Sequence, residues 1–228
     1  MKYIRKGATP RELTVWLKGQ VINGERINSR YSDLEPSVKD LIEQKLLEEQ
    51  GWLCCYTGIS LTETDFHIEH LIPQSTSKAQ NTYEDVDYKN MLAAYPKGAC
   101  SFGAKVRRDK SLPVHPLHRS CEVKFDFDRD GHIAGKDDGA EKTIKILNLD
   151  SLMLDEMRKQ AIDAVIAPDN KPRSEAQIKT IAERYCTMNK NGKYPNFCYV
   201  VAQVAQKQLG KIERERKRQK AIREQAKK

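Results

Sequence analysis

The spacing of apolar residues divides the 228-residue chain into a mixed first part and a helical second part. Near the start, Pro10 precedes a short apolar cluster, Leu13, Val15, Trp16 and Leu17, which reads as an arm packed on the body. Residues 21–34 are polar and loop-like. Behind Pro36, which suits a first helical turn, Val38, Leu41, Ile42, Lys45 and Leu46 follow helical spacing, and Gly51 can close the end. A helix is therefore expected over about 36–50. Residues 52–72 carry short apolar pieces broken by Thr57-Gly58, the pattern of a small hairpin. Residues 74–89 lack periodicity and read as a long loop. A short apolar run and a basic stretch occupy 90–110. From Cys121 to Ile133 apolar and polar residues alternate into Asp130-Gly131, as in a strand entering a turn.

Past about residue 140 the period becomes helical. Asp150 or Ser151 can start a helix with Leu154, Met157, Ala161 and Val165 on one face, ended by Pro168. Ser174 and Gln177 make a capping-box pattern ahead of an Ile178, Ile181, Ala182, Tyr185 stripe. A third helix begins near Pro195, with Phe197, Val200, Val201, Val204 and Leu209 on its core face. The expected fold class is α+β, with a division into 1–140 and 141–228.

Composition narrows the class. Apolar residues are 39 % and charged residues 32 %, with a mean hydropathy of −0.72, enough for a core under a solvated surface. No run reaches the roughly 18 apolar residues a membrane span needs, and no apolar stretch follows the basic Met1–Lys6 start. No membrane and no export signal are expected, and the expected compartment is the cytoplasm, where six cysteines read as thiols or metal ligands. The net charge of +8 is concentrated: residues 211–228 hold nine Lys/Arg against three Glu, leaving only +2 on the other 210. Such a tail either concentrates the chain near phosphate backbones or is a solvated helix end or a disordered tail.

The most informative chemistry is in Phe66-His67-Ile68-Glu69-His70-Leu71-Ile72-Pro73-Gln74. Glu69 is a hard oxygen ligand suited to Mg²⁺ or Mn²⁺. His70, with an ordinary pKa of about 6.5, can take a proton from water. A Glu-His pair alone is more often structural. Its surroundings change that: Cys54-Cys55-Tyr56-Thr57-Gly58 precede it, and Asn90-Met91-Leu92 and Cys100-Ser101-Phe102-Gly103-Ala104-Lys105 follow.

This order resembles the HNH endonuclease family over about residues 52–110. It is similar to the PtuB-like branch found in Septu and retron anti-phage systems, through the arm Ile4–Pro10 and the segments Lys124–Phe127 and Gly131–Ile133. The resemblance implies a ββα-metal nuclease core followed by a mainly helical C-terminal part. It implies His70 as general base, Glu69 as a ligand of one divalent metal, Mg²⁺ or Mn²⁺, and Asn90 bracing the His70 loop. Lys105, Arg107 and Arg108 would lie near the phosphate backbone, unless they are a solvated face. It also implies partners: a nucleic acid substrate, DNA or RNA such as tRNA, a PtuA-like ATPase, and a retron reverse transcriptase with its RNA/DNA.

Two departures stand out. No His or Asn lies around Ala99–Ser101, where the family carries a further metal ligand, so His115, of the nearby pair His115 and His118, is the expected substitute. Structural zinc is not expected, because Thr57 and Tyr95 stand where paired cysteines would be. Asp126–Asp137 matches half of a calcium loop, but its strand-like flanks favour a hairpin. The competing reading of the whole chain is a non-catalytic nucleic-acid adaptor that works through the basic tail.

Overall fold

The computed structural model describes residues 1–27 and 29–225. The arm contains helix α1 (Arg11–Gly19), which buries Leu13 and Trp16, and a minimal hairpin, β1 (Val21–Ile22) with β2 (Glu25–Arg26). Helix α2 (Pro36–Glu49) has Pro36 in its first turn and buries Val38, Ile42, Leu46 and Leu47. The expected face is rotated slightly, since Leu41 is exposed and Leu47 takes the inner position.

Residues 53–60 close on themselves through one bridge, Leu53 to Ser60. The turn needs Gly58: its φ is +80°, and a Cβ there would lie 2.6 Å from the Tyr199 ring. Strand β3 (His67–His70) pairs antiparallel with β4 (Met91–Ala94), setting His67 opposite Ala94 and Glu69 opposite Leu92. The segment between them is not a bare loop. It starts with helix α3 (Gln74–Ala79) and continues through two single 3₁₀ turns. Apolar periodicity missed α3 because it buries only Ser77, whose hydroxyl bonds to Asp85 and the Thr82 carbonyl. The single-turn helix α4 (Ala104–Arg107) follows β4, tied to the second half of the chain by a Gly103 N–H to Leu147 carbonyl bond.

Strands β5 (Phe125–Phe127) and β6 (Ile133–Gly135) flank the Asp130-Gly131 turn, so the alternating segment starts later than expected, after a 3₁₀ turn over Arg119–Val123. Helix α5 (Asp138–Leu147) is capped by Asp137 and buries Ala140, Thr143, Ile144 and Leu147. Helix α6 (Leu152–Ile166) is capped by Ser151, and α7 (Glu175–Arg184) by the Ser174–Gln177 capping box. Helix α8 (Cys198–Gln225) runs 28 residues. Its first part buries Val200, Val201, Val204 and Ala205; from Lys211 it is almost wholly exposed.

The fold is α+β, with three two-stranded antiparallel sheets among the described residues. One apolar cluster runs from Ile4 and Leu13 through Leu92 and Phe125 to Val204, crossing residue 140 without a break. No described helix is long and apolar enough to cross a membrane.

Candidate active site

The β3–β4 pair orders the candidate residues by strand alternation. Glu69 and His67 share one face of β3, and His70 leaves from the other. The His70 ring is buried, 6 % exposed, with Tyr31 edge-on at 4.7 Å between ring centroids. Its Nε2 lies 3.0 Å from the Asp85 carbonyl, which can only accept, so Nε2 carries the hydrogen. That leaves the Nδ1 lone pair, toward which the Gln74 amide nitrogen points at 3.3 Å. Burial lowers the His70 pKa below its usual value and outweighs the opposing pull of the Asp85 carbonyl and the Glu69 charge. The ring is thus neutral at pH 7.

The loop that supplies this carbonyl is itself pinned. The Asp85 carboxylate accepts from the Tyr31 amide at 3.0 Å, the Ser77 hydroxyl at 3.0 Å and Arg30 at 3.2 Å. Burial pushes that carboxyl up, but these three donors outweigh it and hold its pKa below the ordinary value. Asn90 ties the loop to the end of β3. Its amide nitrogen donates to the Ile72 and Glu84 carbonyls, both at 2.9 Å, and its oxygen accepts from the Ile72 N–H at 2.6 Å.

Glu69 divides its two oxygens. Oε1 accepts from Arg107 Nη1 at 2.6 Å and from the Tyr56 hydroxyl at 3.1 Å. Burial keeps the Tyr56 phenol protonated, and hence a donor, by raising its pKa well above the ordinary value. Oε2 accepts no hydrogen bond among the described residues, and His67 Nε2 lies 3.8 Å from it. The Glu69 side chain is 14 % exposed, so its carboxylate is reached from solvent. A free carboxylate oxygen at a solvent-reached edge fits a divalent cation that keeps water or phosphate as its other ligands.

Arg107 departs from the expected phosphate-facing role. Its guanidinium is fully buried and donates to Glu69, Tyr56 and the carbonyls of His70, Leu71 and Lys110, so no donor face is turned to solvent. Charge alone suggested a surface residue; the acceptors that converge on it decided otherwise. Lys105 and Arg108, on and just after α4, are exposed. His115 lies beyond, with ring centroid 6.1 Å from that of His118, and its Nδ1 has no hydrogen-bond partner among the described residues. No hydrogen bond or ion pair joins His115 to Glu69, and no group of three or more His, Cys, Asp or Glu able to hold a metal forms among the described residues.

Sequence reading passed over Tyr56, His67, Gln74 and Asp85. A signal existed for one of them: His67 and Glu69, two apart on a strand, had to share a face. Gln74 is local, four residues after His70, whereas Tyr56 and Asp85 meet the site through chain reversals that no local pattern encodes.

No family model matches the chain. Among curated proteins it is 30 % identical, over 171 aligned residues covering 69 % of this chain and 80 % of the relative, to the protein named "Retron Vc95 putative HNH endonuclease" of Vibrio cholerae serotype O1 biovar El Tor. With that coverage, and with the Glu69-His70 strand and Asn90 arranged as described, the chain belongs to the HNH endonuclease family.

Proposed function

We propose that this protein is a metal-dependent endonuclease that hydrolyses phosphodiester bonds of DNA, or of RNA such as tRNA. The observation that carries the reading is the hydrogen bonding of His70: Nε2–H is committed to the Asp85 carbonyl, which leaves Nδ1, facing the Gln74 amide, to act as the base. Once a water replaces the Gln74 amide at Nδ1, that nitrogen takes the water's proton as its oxygen attacks phosphorus and the 3′-oxygen departs. Glu69, through Oε2, would hold one Mg²⁺ or Mn²⁺. When bound, such an ion neutralises charge on the phosphoryl and leaving oxygens. Asn90 ties the Glu84 carbonyl, one residue before the carbonyl that orients His70, to Ile72 at the end of β3. Lys105 and Arg108 would meet the phosphate backbone.

The relative's name assigns that protein to a retron. We extend this to the present chain as the nuclease effector of a bacterial anti-phage system, restrained by a PtuA-like ATPase, with a retron reverse transcriptase and its nucleic acid as a further partner. The exposed basic end of α8 keeps a second reading in view, a nucleic-acid adaptor acting through that helix.

The test is cleavage of plasmid DNA and total tRNA by wild type and His70→Ala, with Mg²⁺, Mn²⁺ or EDTA, alone and with the ATPase. Metal-dependent cutting that falls by about 10²–10⁴-fold in the variant supports the nuclease. Undiminished cutting by an equally folded His70→Ala protein would show that His70 is not the base.

A further inference from the structure

We propose that His67 is a second protein ligand of the cation held by Glu69, and that the pair favours a first-row transition ion over Mg²⁺. The inference rests on the metal-dependent reading above.

Three observations carry it. First, His67 Nδ1 lies 2.7 Å from the Pro96 carbonyl. A carbonyl only accepts, so Nδ1 carries the hydrogen, and in the neutral ring Nε2 bears a lone pair. A ring N–H held by a backbone carbonyl is the usual outer support of a metal-ligating histidine. Second, that Nε2 faces Glu69 Oε2 at 3.8 Å, too far for a hydrogen bond. Facing one another across this gap, the carboxylate oxygen and the imidazole nitrogen call for a positive charge between them, which a proton on Nε2 or a bound cation supplies. Third, the gap is shaped and reachable. Ala94, opposite His67 in the ladder, offers only a methyl group on that face, and the His67 and Glu69 side chains are 21 % and 14 % exposed.

The spacing suits an ion. Metal bonds of about 2.1 Å place neighbouring donors roughly 3.0–3.4 Å apart, so the side chains need approach by less than about 1 Å. Arg107 and Tyr56 hold Oε1 and leave Oε2 aimed at the imidazole. One carboxylate oxygen with one imidazole nitrogen is a poor set for Mg²⁺, which prefers oxygen throughout, and a better one for ions that accept nitrogen, with affinity rising from Mn²⁺ toward Ni²⁺.

The experiment is calorimetric titration of the full chain with Mg²⁺, Mn²⁺ and Ni²⁺. It is done in a His118→Ala background, so that the neighbouring His115–His118 pair does not compete for Ni²⁺. We expect Ni²⁺ and Mn²⁺ to bind more tightly than Mg²⁺. His67→Ala and His67→Gln should each weaken Ni²⁺ by about 10–100-fold and Mg²⁺ far less. Bound Mn²⁺ should broaden the imidazole proton resonances of His67, a readout independent of any variant's folding. If Glu69→Gln abolishes binding while both His67 variants bind Ni²⁺ like their parent, this inference falls and the Glu69 metal site stands. If the parent binds none of the three ions at millimolar concentration, the metal-dependent reading falls with it.

Discussion

Arg107 Nη1 stands 2.6 Å from Glu69 Oε1, and the guanidinium that makes this contact has no exposed surface. A charge one would place on nucleic acid is instead spent inside the protein, fixing the carboxylate. Arg107→Met should therefore act on stability first. It leaves Glu69 and the carbonyls of His70 and Leu71 without their donor, a loss of about 3–5 kcal/mol in denaturant unfolding. Arg107→Lys should recover only part, because one ammonium cannot replace a fork that reaches five acceptors. Wild-type unfolding by Arg107→Met together with weakened nucleic-acid binding would return Arg107 to the phosphate-binding role.

Neutral His70 makes a pH prediction. Its folded pKa lies below the ordinary 6.5, so the unfolded chain takes up a proton that the folded chain resists. The associated stability is present above pH 6.5 and is lost as pH falls through the folded value. Urea midpoints should drop across that window in wild type and less steeply in His70→Gln. Cleavage, where His70 is the base, should hold its plateau to below pH 6.5 before its acid limb begins.

Asn90→Ala removes three hydrogen bonds to backbone in a buried place. Each orphaned group costs about 1–3 kcal/mol, so the midpoint of unfolding should fall clearly. Asn90→Asp keeps the shape but loses the donors to Ile72 and Glu84. At a temperature where it remains folded, its cleavage rate should still fall by roughly 10-fold or more, since a 1 Å displacement of the His70 support is expensive in rate. An Asn90→Asp protein with wild-type turnover would make Asn90 a fold residue only.

Truncation after Gly210 separates the two functional readings. The end of α8 is joined to α7 by the exposed Arg216–Glu175 pair, which is worth little. The body should stay folded. For a nuclease, truncation should weaken nucleic-acid binding evenly across sequences and flatten its salt dependence, while catalysis survives; His70→Ala should keep binding and lose cutting. An adaptor would show the reverse. Lys227 and Lys228, which contribute to the basic run, lie outside the described residues.

Sequence alone determined whatever local periodicity and local capping encode. Helix α2 behind Pro36, the Ser151 and Ser174 caps, the turn at Asp130-Gly131 and the α+β class all follow from residues within a few positions of one another. The order of Cys54-Cys55, Glu69-His70 and Asn90 was likewise visible, and so was the family it resembles. Helix α3 was hidden because a short polar helix buries one serine and leaves no apolar stripe. Helix α5 was hidden in a general expectation of helix after 140, although Asp137 caps it and Ile144 and Leu147 carry its buried face.

Only the tertiary structure decided what each polar side chain meets. Arg107 reaches Glu69 across 38 residues, Asn90 reaches Ile72 across 18, and His70 finds its carbonyl 15 residues on. A side chain's charge and hydrogen-bonding capacity belong to its type, but burial and partners belong to the packing. The same arginine that would bind phosphate on a surface becomes, once five acceptors enclose it, the support of a carboxylate.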